Sequence, residues 1–365
     1  MMAEPPGKPA VTMRALLVAF AFAALPFAVG SAAPDSLLYV RLESYLEALR
    51  VQAGIPGMSA AIVGDEDIVW ERGFGRQDVG LAIAAAPDTP YHIDALGQTL
   101  TATLVLQCVE RGTLSLGDPV GNYDSGGPDP GATLRQLLAH TSPGPFGETY
   151  VYRPERLESL RAAIRHCTGD SYRENLANLF DRLAMKDSVP GPDVVTLAAP
   201  AEGIPNRATA QRYSAVLERL TTSYQVSGGG QASVVPHPAE TLTTTSGVVS
   251  TVRDLAQLDL ALKQGLLLSP ETLALAWSTP PTPGFQGQAL PHGLGWFVQA
   301  YNGQRVVWQF GVSEASSAFV ITLPSRRLTM ILLANSDGLV KPFVLTPGDV
   351  LASPFARVFL GLLGP

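Results

Sequence analysis

The chain contains one stretch, residues 103–109, that is apolar on nearly every side of a helical wheel. Polar side chains enter only towards its end, at Gln107 and Glu110. A helix on a protein surface shows a polar stripe, so this pattern predicts a helix buried in the middle of a domain. Arg111 and Gly112 predict its end, because a cation suits the negative helix terminus and glycine tolerates a positive φ.

Patterns on both sides of this helix predict an antiparallel sheet. Residues 37–54 carry leucines at helical spacing, and residues 58–63 and 68–75 form two strand patterns around a short polar turn. Residues 292–298, 305–311, 317–323 and 328–335 predict further strands, and residues 347–363 predict a closing helix. We therefore predict an α+β fold, with sheet segments at about 37–90 and 290–345 and a mostly helical insertion at about 91–255.

The residues that open the buried helix carry a family resemblance. They are Tyr91-His92-Ile93-Asp94-Ala95-Leu96-Gly97-Gln98-Thr99-Leu100-Thr101-Ala102. Their flanking aromatic, isoleucine and threonine positions resemble the nucleophile helix of the serine β-lactamase and penicillin-binding-protein family, which begins with Ser-x-x-Lys. Segments at 114–120, 134–142, 247–256 and 292–296 resemble the same family in the same order. The resemblance implies a β-lactamase/transpeptidase-like fold.

The three motifs that carry the chemistry of this family are all altered here. Ser-x-x-Lys becomes Ala95-x-x-Gln98, Tyr-x-Asn becomes Tyr152-x-Pro154, and His-x-Gly becomes Gln309-x-Gly311. In the family, serine and lysine share one helix face, so that the amine can activate the hydroxyl. Alanine has no hydroxyl and glutamine is no base near neutral pH. The sequence therefore predicts a catalytically inactive member of the family.

A ligand-binding cleft remains compatible with these changes. The resemblance implies an oxyanion hole built from backbone N–H groups, which map to Ala95 and Val312 and do not depend on side-chain identity. We expect Tyr152, Gln309 and Gly311 to line the same cleft, although Tyr152 also fits a role as a packing aromatic. The expected ligand is peptide-like, an acyl compound or a cell-wall fragment, bound without a cofactor or a metal. His140 is expected to be a structural histidine that closes a helix.

An active enzyme with a non-standard site is the alternative. Such an exported hydrolase would act on esters, peptides or β-lactams through a nucleophile or an activated water elsewhere, with Glu314 and Tyr152 near the cleft. Against it, no serine near Ala95 has a base at helical spacing.

The N-terminal segment predicts export. Lys8 and Arg14 precede an apolar run from 15 to 29, and Gly30-Ser31-Ala32 forms a small-residue cleavage site. Residues 1–32 are therefore expected to be a signal peptide, with an uncleaved anchor as the alternative, and residues 33–365 the mature, periplasmic or secreted domain. After its removal we expect no stable membrane span. The sequence does not indicate an oligomeric state.

Composition and cysteine usage limit the classes of ligand and site that this chain is expected to have. A net charge of −7 with 16% charged residues argues against a nucleic-acid surface. Both cysteines, Cys108 and Cys167, lie in apolar helical patterns, and no Cys/His spacing indicates a metal site. We expect two buried free thiols, with a disulfide as the alternative in an oxidising compartment.

Overall fold

The structure is a computed structural model that describes residues 1–4, 7, 34–144, 147–196, 203–204, 206–228, 230–239, 241–279 and 289–364. Its helices are α1 (Pro34–Gln52), α2 (Gln98–Glu110), α3 (Leu134–Leu138), α4 (Leu160–Thr168), α5 (Tyr172–Arg182), α6 (Arg207–Glu218), α7 (Val252–Lys263), α8 (Pro270–Ala276) and α9 (Pro354–Leu363). Its strands are β1 (Gly57–Val63), β2 (Ile68–Asp78), β3 (Ile83–Ala84), β4 (Tyr91–His92), β5 (Thr141–Gly144), β6 (Gly147–Tyr150), β7 (Val189–Pro190), β8 (Tyr224–Val226), β9 (Ala232–Val234), β10 (Val248–Ser250), β11 (Phe297–Tyr301), β12 (Gln304–Val312), β13 (Ser317–Leu323) and β14 (Leu328–Ala334).

The main sheet is antiparallel, with its described strands in the order β11-β12-β13-β14-β1-β2-β3. Strands from the two ends of the chain meet where β1 pairs with β14. The β11–β12 hairpin turns at Asn302 and Gly303, which both have positive φ, as a two-residue Asn-Gly turn requires. The predicted α+β fold is confirmed, and helices make up most of the regular secondary structure described between β3 and α7.

Both faces of the sheet are covered. On β1, Met58 and Ile62 belong to a core cluster that also contains Leu46 of α1 and Phe359 of α9. Ala61, which points to the opposite face, belongs to a second cluster with residues of α2 and α7. This alternation explains why β1 is buried along its whole length.

Helix α2 is buried on most of its surface, as its sequence predicts. It follows a 3-10 turn, Asp94–Gly97, and it ends at Glu110, with Arg111 as its C-terminal cap before Gly112, whose φ is 70°. Cα of Gly295 lies so close to α2 that a Cβ there would be 2.3 Å from the Ala102 Cβ. The glycine therefore lets the segment before β11 pack directly against the buried helix.

The expectation of two free thiols is wrong. Cys108 on α2 and Cys167 on α4 form a disulfide, with Cα atoms 6.1 Å apart and 59 positions apart in sequence. The apolar helical patterns correctly indicated two packed helices. The patterns did not indicate that α2 and α4 pack side by side, which brings the two thiols within bonding distance.

The predicted signal peptide at residues 1–32 lies almost entirely outside the described residues. Among the helices that the structure describes, none combines the length and the apolar character that a bilayer span needs.

Candidate functional site

The two positions of the altered nucleophile motif lie at the start of α2. Ala95 is half-buried within the 3-10 turn, and Gln98 is the first residue of α2 and fully buried. Strand β12 passes directly against this turn: a Cβ on Gly311 would lie 2.0 Å from the Ile93 carbonyl oxygen and 3.0 Å from the Ala95 nitrogen. Only glycine fits such an approach, so the third-motif glycine packs against the turn that contains Ala95, and the half-buried Val312 follows it in β12.

A chain of hydrogen bonds runs through Gln98. The backbone N–H of Arg153 donates to His140 Nδ1 at 3.2 Å, which places the proton of the neutral imidazole on Nε2. That Nε2–H donates to Gln98 Oε1 at 2.8 Å. The Gln98 amide in turn donates from Nε2 to the Tyr152 hydroxyl oxygen at 2.9 Å. A neutral amide thus bridges an imidazole and a phenol at the position where the family has a lysine.

His140 and Tyr152, at the two ends of this series of hydrogen bonds, are both held in their neutral forms. Burial, reinforced by the nearby His292, holds the pKa of His140 well below its usual value. Burial also raises the pKa of Tyr152, and the hydrogen bond from Gln98 opposes that rise without reversing it. A proton-shuttling tyrosine must form the phenolate, and the raised pKa of Tyr152 favours its neutral phenol instead.

Tyr152 is a packing aromatic that also takes part in the Gln98 network. Its ring packs against Phe297 and Phe310, with centroid distances of 5.5 and 5.4 Å, while its hydroxyl faces Gln98. Pro154, in the position of the family's asparagine, begins the 3-10 helix Pro154–Ser159 and supplies no hydrogen-bonding side chain.

Gln309 is tied into the protein. Its amide is fully buried, donates from Nε2 to the Gly295 carbonyl at 3.1 Å, and accepts from the Phe310 backbone N–H at 2.9 Å. Nε2 also lies 3.2 Å from His292 Nε2. Burial lowers the pKa of His292 to about 4, so its imidazole is neutral at pH 7 and accepts this contact. The residue that replaces the family's cation is therefore part of a neutral internal network.

Replacing Gln98 tests the importance of this bridge for stability. We expect Gln98→Leu to lower the free energy of unfolding by about 2 kcal/mol, because it leaves the buried His140 N–H and the half-buried Tyr152 hydroxyl oxygen without their partner. Urea denaturation measures the change. The matched control is Gln107→Leu, a glutamine on the same helix that donates to the Leu267 carbonyl and whose loss should cost less. Equal losses in the two variants would contradict a special role for Gln98.

A polar cluster next to Ala95 was not predicted from the sequence. Asp94 has a φ of 45°, is buried, and accepts a short hydrogen bond from Ser316 Oγ. His237 Nε2 lies 2.9 Å from Ser316 Oγ, 3.2 Å from Ser313 Oγ and 3.3 Å from Asp94 Oδ1. The cluster joins the turn before α2, the β12–β13 connection and the segment after β9. The positive φ of Asp94 marks a locally strained backbone at the position before the nucleophile slot.

These residues resemble a Ser-His-Asp constellation in composition but not in proton arrangement. His237 Nδ1 accepts the backbone N–H of Ala239 at 3.1 Å, so the neutral ring carries its proton on Nε2. A histidine that activates serine needs a free lone pair on the nitrogen facing the hydroxyl. Here that nitrogen is a donor, and it holds Asp94 and the serines in place. The His237 ring also stacks on His92 at 3.5 Å, and burial lowers the pKa of His92 to about 3.

No sequence pattern pointed to His237, which lies in a polar segment without periodicity. Asp94 was adjacent to the motif and gave no signal, because its role depends on a positive φ and on partners more than 140 positions away. Glu314, considered near the cleft from sequence, is exposed in the same β12–β13 connection.

Comparisons with known proteins agree with this architecture. Residues 42–352 match the Beta-lactamase family. Protein flp of Staphylococcus aureus (strain MW2) is 25% identical over 309 residues, which are 77% of this chain and 60% of the length of that relative. The chain thus spans less than two thirds of that curated relative.

Two solved structures share the fold. The octameric penicillin-binding protein homologue from Pyrococcus abyssi superimposes with a TM-score of 0.68 at 21% identity, covering 89% of this chain and 77% of that one. D-alanine carboxypeptidase AmpC from Burkholderia cenocepacia superimposes with a TM-score of 0.65 at 18% identity, covering 88% and 99%.

Proposed function

The chain belongs to the β-lactamase family, and we propose that it is an exported, catalytically inactive member that binds a neutral, carbonyl-bearing ligand in its cleft. The expected ligands are peptide-like, acyl or cell-wall-fragment molecules. The observation that carries this proposal is the Gln98 amide, which hydrogen-bonds to both His140 and Tyr152 in place of the family's lysine.

The donors and acceptors of the site support the proposed absence of catalysis. Ala95 offers no nucleophile, and the neutral Gln98, Tyr152 and Gln309 offer no base near neutral pH. Acyl transfer needs both groups. Neutral hydrogen bonds among His140, Gln98 and Tyr152 stand here in place of the family's serine-activating lysine.

Ligand binding has separate support. Tyr152 is half-buried, and within the described residues its hydroxyl hydrogen meets no acceptor, so that it is available to a ligand carbonyl. Gly311 packs against the turn that contains Ala95, and Val312 follows it in the chain, which supports an oxyanion hole made by the backbone N–H groups of Ala95 and Val312. The positive end of α2 adds a favourable field for a partially negative oxygen.

A titration tests the binding. N-acetyl-D-alanyl-D-alanine amide, a neutral peptide, should bind with a dissociation constant in the micromolar range or weaker, since the site has no cation to strengthen the contact. Isothermal titration calorimetry measures it. Ala95→Trp, which fills the cleft, should abolish the signal, and Tyr152→Phe should weaken it by removing one donor. Equal binding to the native and Ala95→Trp proteins would place the ligand elsewhere and contradict the proposal.

Export is part of the same proposal. The basic, apolar and small-residue pattern of residues 1–32 supports it, and removal of that segment would leave a protein that begins near Ala33. Intact-mass measurement on periplasmic or secreted material tests it, and a membrane-bound protein that retains Met1 would favour the anchor.

A second candidate function is hydrolysis through the polar cluster beside Ala95. The observation in its favour is the contact of His237 with Ser313 and Ser316, close to Asp94. Its weakness is the proton on His237 Nε2, which must move to Nδ1, against the Ala239 N–H, before the ring accepts a serine proton. The His237→Ala variant, described in the Discussion, separates the two candidates.

A further inference from the structure

A cavity of about 410 Å³ opens behind the altered motifs, between α3, β6, the end of α8 and the β11–β12 hairpin. It has the volume of a small-molecule site. His292 lines it and also contacts Gln309, so the cavity borders the network described above. Among the described residues, its lining does not include Ala95, Tyr152 or Val312, the residues expected to hold a ligand in the family cleft.

The walls of this cavity are largely apolar. The apolar side chains that line it are Leu275, Trp277, Leu290, Leu294 and Val298. Leu290 and Leu294 are buried against the protein, with 4% and 3% of their surfaces exposed, so the wall that they form belongs to the folded core. A ligand with an apolar body would remove further apolar surface from water here.

Two arginines give the cavity its charge. Arg135 on α3 and Arg305 on β12 both line it, both are exposed, and neither forms an ion pair with a residue in the described part of the chain. The carboxylate in the lining is Glu148, which already accepts hydrogen bonds from Gln136 and Thr141. His292 is neutral because burial lowers its pKa to about 4. The cavity therefore carries one net positive charge, in a chain whose net charge is −7.

We propose that this cavity binds an aliphatic carboxylate, whose charged head pairs with the guanidinium groups of Arg135 and Arg305 in the lining. A guanidinium offers two parallel N–H donors that match the two oxygens of a carboxylate. The apolar wall then receives the hydrocarbon chain. This site is separate from the cleft of the proposed function, and neither proposal depends on the other.

Octanoate is the probe that we choose, with 1-octanol as the same chain without charge and acetate as the same charge without a chain. Isothermal titration calorimetry on the full chain should show octanoate binding at least tenfold more tightly than either control. Sodium chloride at 0.5 M should weaken octanoate binding and leave octanol unchanged, because salt screens partly exposed charges. Octanol binding as tightly as octanoate, or no binding of octanoate, would overturn the proposal.

Variants assign the binding to this cavity. Arg135→Gln/Arg305→Gln should weaken octanoate binding about tenfold, since two charge-assisted contacts are lost. The control Arg41→Gln removes an exposed arginine on α1 and should have no effect. Ala95→Trp fills the family cleft and should also leave octanoate binding unchanged. Loss of binding in Ala95→Trp, with retention in the double arginine variant, would move the ligand to the family cleft and refute this site. Thermal unfolding of each variant checks that it is folded.

Discussion

A fluorescent penicillin should leave the purified protein unlabelled, and activated esters should be hydrolysed only at the background rate. Loss of one member of a catalytic group costs about 10⁴ to 10⁶ in rate in a serine protease of a different fold. Here the nucleophile is absent at Ala95, the base is absent at Gln98, and burial keeps Tyr152 protonated. Gel fluorescence after labelling, together with a chromogenic ester assay, measures the outcome.

Two variants make this test decisive. Ala95→Ser restores the hydroxyl alone, and we expect it to remain unlabelled because the Gln98 amide cannot accept the serine proton. His237→Ala removes the only histidine that contacts serine hydroxyls among the described residues. Ester hydrolysis by the native protein that His237→Ala abolishes, and that Ala95→Trp does not, would establish the polar cluster as an active site and refute the inactive reading.

Loss of the Cys108–Cys167 disulfide should lower the free energy of unfolding by about 4 kcal/mol. The bond closes a loop with a sequence separation of 59, and restriction of the unfolded chain by a loop of that length has about this magnitude. It joins α2 to α4, so its loss loosens the helix that begins at the nucleophile slot. Urea denaturation of Cys108→Ala/Cys167→Ala measures the change.

Reduction is the matched control for this prediction. Dithiothreitol should lower the urea midpoint of the native protein by an amount close to that of the double variant, and should leave the variant unchanged. A native midpoint that does not respond to reductant would mean that the two thiols are not paired in the protein.

The sequence predicted the fold well because fold-defining signals are local. The apolar residues of α2, the Asn302-Gly303 turn and the strand patterns of β1 and β2 depend on near neighbours in the chain. The family motifs allowed the whole sheet to be predicted, because they occur along the chain in the order typical of the family. The site was predicted in part: the alterations at positions 95, 98, 154 and 309 are visible in the sequence itself.

What the chain by itself determined is therefore its family architecture and the loss of the family's nucleophile and base. What only the tertiary structure decided are contacts between distant positions. Gln98 meets His140 and Tyr152 across 42 and 54 positions, and Asp94 meets Ser316 across 222. The disulfide and the presence of both Arg135 and Arg305 in the lining of one cavity have the same origin. Such contacts carry no periodic signal, because each depends on a hydrogen bond, a covalent bond or a charge that exists only once the elements have packed.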